Sequence, residues 1–137
     1  KQLRSPESFS IHVMVVDDDP QILEMMRALL EPWGIELTTL ERLSEFWDSL
    51  NHRTPDVLIL DVEMPEFTGI ELCQAVRSVP QWQQLPILFL TVHTDAETMR
   101  QVFHAGADAL IGKPIADSEI VFHILSELER AKLSKLT

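Results

Sequence analysis

The chain has 137 residues, 45% of them hydrophobic, with 11 basic against 22 acidic side chains and a formal net charge of −11. This length suits one domain with a real core, and no apolar stretch approaches the ~20 residues of a membrane-crossing helix. The acidic balance argues against gripping the phosphate backbone of nucleic acid, and the single cysteine, Cys73, excludes an internal disulfide or a cysteine-based metal cage.

Lys1–Ser10 is polar, lacks the apolar core of a signal peptide and reads as an N-terminal extension. The chain starts at Lys1 without a methionine, so a piece of a longer protein is expected. Ile11–Val16 is an apolar run that predicts the first strand, and Asp17, Asp18 and Asp19 follow it. Asp19 suits a helix cap and Pro20 the first helical turn. Ile22, Leu23, Met26, Leu29 and Leu30 then recur at helical spacing, and Trp33-Gly34 ends the helix. Ile35–Leu40 alternates as a strand. Leu43, Phe46, Trp47 and Leu50 fall on one helix face and read as core.

Val57–Leu60 predicts a third strand ending at Asp61, with a loop through Val62-Glu63-Met64-Pro65 beyond it. Thr68 and Glu71 have the spacing of a capping box, and Thr94 and Glu97 have it again later. Cys73 sits in an apolar helical pattern and reads as a packed thiol, consistent with a reducing cytosol. Pro80–Gln84 lengthens the loop before the fourth strand and is expected to expose Trp82. Ile87–Leu90 runs into Thr91, and Ala109–Gly112 into Lys113 and Pro114. Between them, Ala105-Gly106-Ala107 looks like a helix end with Gly106 in the left-handed region. A long last helix starts near Asp117 and runs into Leu133. Its Val121, Ile124, Leu128 and Ala131 approximate an a/d seam too short to define a coiled coil. His12, His52, His104 and His123 share no ligand spacing and read as surface or packing residues.

Alternating strands and helices predict an α/β fold with a parallel sheet covered on both faces. In such a sheet the polar tips of separate strands gather along one edge, where open α/β sheets bind ligands. Aspartates gathered there repel one another unless a positive charge sits among them. Hard oxygen donors without His or Cys favour Mg²⁺ over zinc, and Asp17, Asp18 and Asp61 supply them. A carboxylate can also act as a nucleophile and form an acyl phosphate. Lys113 and Thr91 are candidates for the remaining phosphoryl oxygens.

VVDDDP at 15–20, LILDVEMP at 58–65, FLTV at 89–92 and AGADALIGKP at 105–114 together resemble the receiver domain of two-component response regulators. The resemblance covers about Ile11 to Leu128, which makes 1–10 an extension, 11–128 the receiver domain and 129–137 a helical extension or linker. It implies a doubly wound, flavodoxin-like three-layer sandwich with strand order 2-1-3-4-5, an order known for the chemotaxis receiver. It also implies that Asp61 takes a phosphoryl group from a phosphohistidine on a sensor histidine kinase or a histidine phosphotransfer domain. Asp18 would ligate Mg²⁺ directly, Asp17 through water, and the backbone carbonyl of Glu63 would complete the protein ligands. Thr91 and Lys113 would bind phosphoryl oxygens, and Lys113–Pro114 would be cis. The chain would be a cytoplasmic signalling phosphoacceptor rather than a turnover enzyme. Its output would be a homodimer or partner contact on the fourth and fifth helices with the fifth strand. A C-terminal effector would follow, for which the tail resembles receivers preceding diguanylate cyclases. This domain itself would contact neither nucleic acid nor membrane.

Several positions depart from the family's commonest pattern. Val92 follows Thr91 where a small residue is usual, and Leu110 replaces a common Tyr or Phe, so aromatic rotation cannot be the switch. Glu63 and His93 stand two residues beyond Asp61 and Thr91, close enough to affect attack by water on an acyl phosphate. Three other functions compete. An aspartate-nucleophile phosphatase would use Asp17 and Asp19, but Pro20 and the lack of room for a substrate cap count against it. A flavin carrier would need backbone donors where the three aspartates stand. A receiver-like interaction module without phosphorylation would not need the acceptor residues that are present.

Overall fold

The structure, a computed structural model, describes residues 11–66 and 68–135; the N-terminal extension expected over 1–10 lies outside them. The strands are β1 (Ile11–Val16), β2 (Ile35–Leu40), β3 (Val57–Leu60), β4 (Ile87–Thr91) and β5 (Ala109–Gly112). The helices are α1 (Pro20–Leu30), α2 (Phe46–His52), α3 (Gly69–Arg77), α4 (Ala96–His104) and α5 (Asp117–Lys135). All the strand pairings are parallel, in the order β2-β1-β3-β4-β5. The fold is therefore the expected doubly wound α/β sandwich.

Side chains alternate across a strand, so each strand feeds two cores. Val13 and Val15 of β1 join Ile59, Leu88, Leu90 and Ile111 under α1 and α5. Met14 and Val16 join Leu58, Leu60, Ile87 and Phe89 under α2, α3 and α4. β3 and β4 are buried along their whole length, which explains their unbroken apolar runs. From α1 the fully or nearly buried residues are Leu23, Met26 and Leu30, as the helical spacing predicts. The α5 positions Val121, Ile124 and Leu128 pack on the sheet, so the apparent seam faces the domain's own core. Among the described residues, no helix is long and apolar enough to cross a membrane.

Local signals held at several helix ends. The Asp19 side chain accepts from Gln21 N at 3.0 Å and caps α1. Thr68 and Glu71 form the reciprocal capping box of α3. Gly106 adopts φ 111°, which favours glycine.

Other expectations need correction. Asp95, not Thr94, caps α4, because its carboxylate accepts from Thr98 N at 3.0 Å. The short helix of Leu43–Glu45 is a 3-10 turn, and α2 begins only at Phe46. Trp82 is buried rather than exposed: it joins the core under α3 and stacks on Trp47 with ring centroids 5.8 Å apart. Trp47, expected in the core, keeps 37% of its surface exposed. Of the scattered histidines, His12 is buried with Nε2 2.7 Å from Thr38 Oγ1, while His52 and His104 are exposed.

A polar buttress fastens the sheet end opposite the strand tips. Asp108 accepts from Ile87 N at 2.8 Å and pairs with Arg77 of α3 at 3.2 Å and Arg130 of α5 at 2.7 Å.

Candidate phosphoacceptor site

Register delivers the site. Val16 lies opposite Leu60 and Leu60 opposite Phe89, so β1, β3 and β4 end at nearly the same level. Thr91 lies opposite Gly112, which puts Lys113 one residue past the tip of β5. Asp17, Asp18, Asp19, Asp61, Glu63, Met64, Pro65, Thr68, Val92, His93 and Lys113 line one open cavity of about 580 Å³ at this edge.

Within it, Asp17, Asp18 and Asp61 each offer a carboxylate oxygen, all within 4.8 Å of one another. Asp17 is buried, with Oδ1 accepting from Asp19 N at 2.9 Å and Oδ2 accepting from Lys113 Nζ at 3.0 Å. Lys113 Nζ also lies 3.5 Å from Asp61 Oδ2. One ammonium thus bridges two of the three acids. Burial pushes the Asp61 carboxyl above its ordinary value; Lys113 opposes that rise and the nearby Asp17 charge adds to it. Asp61 Oδ1 accepts from Val62 N at 2.7 Å, which orients the carboxylate. A partly buried carboxylate held this way, beside a hard-cation donor set and an ammonium, can receive a phosphoryl group.

Asp18 stands exposed in the same cluster. Asp19 caps α1 with its carboxylate, as expected. Glu63 lines the mouth, and its side chain meets His93 Nε2 at 3.0 Å. Thr91, expected to bind a phosphoryl oxygen, ends β4. It is wholly buried and is not among the residues that wall the cavity. Its hydroxyl accepts from His93 N at 3.1 Å, and its carbonyl accepts from Lys113 N at 2.9 Å. Val92, the residue after it, is 64% exposed at the cavity wall. Leu110 is half-buried against the core under α2, α3 and α4, so the usual aromatic position is filled by an aliphatic side chain. The Lys113–Pro114 peptide is cis, as the resemblance implied.

Gly69 is a site residue that sequence reasoning passed over. A Cβ there would stand 1.9 Å from the Asp61 carbonyl oxygen and 3.0 Å from Phe89. Glycine lets the N-terminus of α3 close against the acceptor residue, while Gly69 N donates to Val62 O at 2.7 Å. The available signal was a glycine directly after a helix cap, at the first helical position, which is an uncommon place for it.

The donor set is oxygen-only and already partly neutralised by Lys113, which fits a hard divalent cation. Among the described residues no other group of His, Cys, Asp or Glu is arranged to hold a metal.

Comparison with known proteins agrees with this geometry. The family model described as the response regulator receiver domain matches residues 13–125. Protein RcaC of Microchaete diplosiphon is 46% identical over 130 residues, covering 95% of this chain and 20% of RcaC. The phosphate regulon transcriptional regulatory protein PhoB of Rhizobium meliloti is 35% identical over 120 residues, covering 88% of this chain and 53% of PhoB. The chain thus spans a fifth to about half of these curated relatives. A putative response regulator from Chloroflexus aurantiacus superposes with a TM-score of 0.83 at 32% identity, covering 88% of this chain and 98% of that one. The chemotaxis protein CheY4 of Vibrio cholerae gives 0.80 at 31% identity, covering 85% and 98%. Strand order, site geometry and the match over most of the chain's length agree: this chain belongs to the response regulator receiver domains of two-component signal transduction.

Proposed function

We propose that Asp61 is the phosphoacceptor of this receiver domain and takes its phosphoryl group from a phosphohistidine on a sensor kinase or phosphotransfer domain. The observation that carries this reading is the Lys113 ammonium bridging Asp17 and Asp61, with Asp18 beside them, at one edge of the sheet. Asp17, Asp18, Asp61 and the Glu63 carbonyl would hold Mg²⁺, which when bound neutralises phosphoryl oxygens. Lys113 would bind one phosphoryl oxygen, and Thr91 another once its hydroxyl reaches the cavity. Catalysis would be confined to the domain's own phosphotransfer and slow autodephosphorylation. The Asp17/Asp19 phosphatase reading loses support because Asp19 is engaged as the cap of α1.

Phosphorylation would shift the population of the α4–β5–α5 face. Met99 and Phe103 of α4 and Phe122 of α5 are exposed, which suits a dimer or partner contact. The domain would occupy residues 11–128, with the segment 129–137 leading into an effector. The relatives' names, among them a phosphate regulon transcriptional regulator, favour a DNA-binding output over a diguanylate cyclase. A cytoplasmic setting suits the buried free thiol of Cys73.

Mass spectrometry after treatment with acetyl phosphate and Mg²⁺ tests the assignment. The expected result is one added phosphoryl group, absent in Asp61→Asn. No added mass on the native chain would leave an interaction module, and multiple turnovers on phosphate esters that survive Asp61→Asn but not Asp17→Asn would point to a phosphatase.

A further inference from the structure

His93 is held from two sides. Its backbone N–H donates to Thr91 Oγ1 at 3.1 Å, and its ring Nε2 lies 3.0 Å from Glu63 Oε1. Glu63 belongs to the loop after β3 and His93 to the loop after β4, so the pair spans the mouth of the cavity they both line. A three-residue chain therefore runs from Glu63 through His93 to the Thr91 hydroxyl. That hydroxyl belongs to a wholly buried residue outside the cavity wall. To donate to a phosphoryl oxygen on Asp61 it has to come forward. Either its bond to His93 N–H breaks, or the His93 backbone moves with it. The second route disturbs the ring that Glu63 holds from the opposite loop, and by fixing that loop the pair keeps the His93 N–H in place against the Thr91 hydroxyl.

We propose that His93 is a positioning residue which, tethered by Glu63, holds Thr91 back and so sets the resting state of the switch. The proposal rests on Asp61 being the acceptor. It also supplies what Leu110 removes: with no aromatic ring to swing, the conformational choice is made by a polar tether on the loop beyond β4. The tether is partly exposed, with side-chain exposures of 37% and 73%, so it biases the equilibrium modestly and can be overcome by one phosphoryl group.

The test is a beryllofluoride titration in the presence of Mg²⁺, followed by backbone amide NMR on the 137-residue chain. His93→Ala keeps the backbone N–H but removes the tether. It is expected to lower the half-saturating beryllofluoride concentration by about threefold, the scale of an exposed polar pair. In the ligand-free protein, amides of residues 91–95 should move part of the way toward their bound positions. The imidazole carries no negative charge, so tighter anion binding in this variant cannot come from relieved repulsion. Glu63→Ala is expected to act in the same direction, and the double variant to add less than the sum of the single changes. His93→Gln, whose side-chain amide can still donate to Glu63, is expected to restore native behaviour. A midpoint unchanged in His93→Ala, unmoved free-state amides or strictly additive single variants would overturn the tether while leaving Asp61 as the acceptor. A native chain that does not respond to beryllofluoride at all would overturn the acceptor reading, and the tether with it.

Discussion

Lys113→Met removes the one ammonium that faces both Asp17 and Asp61 while keeping an unbranched apolar side chain in place. The lysine side chain is 14% exposed, Asp17 3% and Asp61 13%, so all three groups are largely out of water. At an effective dielectric near 20, contacts at 3.0 and 3.5 Å are each worth about 5 kcal/mol before the cost of desolvation. Desolvation offsets much of that attraction. Deleting one partner, however, leaves the others buried and unpaired, which costs ~3–5 kcal/mol. For a chain of this length the loss corresponds to a fall in Tm of roughly 10–17 °C. Burial already lifts the Asp61 carboxyl, and without its main counter-charge that carboxyl rises further. A carboxylate whose folded pKa lies above its unfolded one binds more protons in the folded state. Stability then falls as pH rises from the unfolded pKa through the folded one. The variant should therefore be most destabilised at neutral pH and regain stability as the solution is acidified toward the ordinary carboxylate range. Added Mg²⁺ should recover part of the loss through binding linkage. Thermal unfolding followed by circular dichroism, at pH 7 and pH 5 with chelator or Mg²⁺, measures all of this. A Tm within 2 °C of native at pH 7, or a deficit that does not shrink on acidification, would refute the idea that Lys113 neutralises the acid cluster.

Asp61→Asn should raise the Tm of the metal-free protein at neutral pH, since it removes a charge whose ionised form burial disfavours; differential scanning calorimetry in chelator would show no gain if that carboxylate were well solvated. Gly69→Ala should destabilise by ~2–4 kcal/mol in urea unfolding, because its Cβ would stand 1.9 Å from backbone oxygen that cannot be moved without displacing Asp61. Burial, followed by the charge of Arg53, holds the His12 imidazole below its ordinary value of 6.5, outweighing Asp56 and Glu36. Its neutral form is thus favoured in the folded state, so stability is full above about pH 6.5 and is lost as pH falls from there through the folded value. His12→Gln should flatten that part of the stability–pH curve, and an unchanged slope would exclude His12 as its source.

Much of the fold was legible because the relevant signals are local. Unbroken apolar runs such as VLIL and ILFL need only their own residues to read as strands buried on both faces, and β3 and β4 are buried throughout. Asp19 and Thr68 cap helices through bonds to residues two or three positions away. The same locality explains the misplaced cap at α4: Thr94 and Asp95 are adjacent candidates, and Asp95 takes the role by binding Thr98 through both its carboxylate oxygens. Trp82 was misjudged because its surroundings come from elsewhere in the chain. Its indole stacks on Trp47 and its Nε1 donates to Thr54, 28 residues away.

The candidate site divides in the same way. That Asp17, Asp18, Asp61, Thr91 and Lys113 end apolar runs is a property of the sequence by itself, and in a parallel sheet it sends them all to one edge. The chain alone thus determined the sheet's residues, most helix starts and which chemical groups meet. How those groups engage was decided by tertiary structure. Lys113 reaches Asp17 across 96 residues of sequence, a distance over which no periodicity or spacing carries information. The hydroxyl of Thr91 accepts from His93 N, and the His93 ring is held by Glu63 from a different loop. Gly69 is required by a carbonyl that only folding brings against it. Composition and pattern act through neighbours along the chain. Charge pairing, close approach and side-chain pose depend on neighbours in space, and the packing of five parallel strands supplied those.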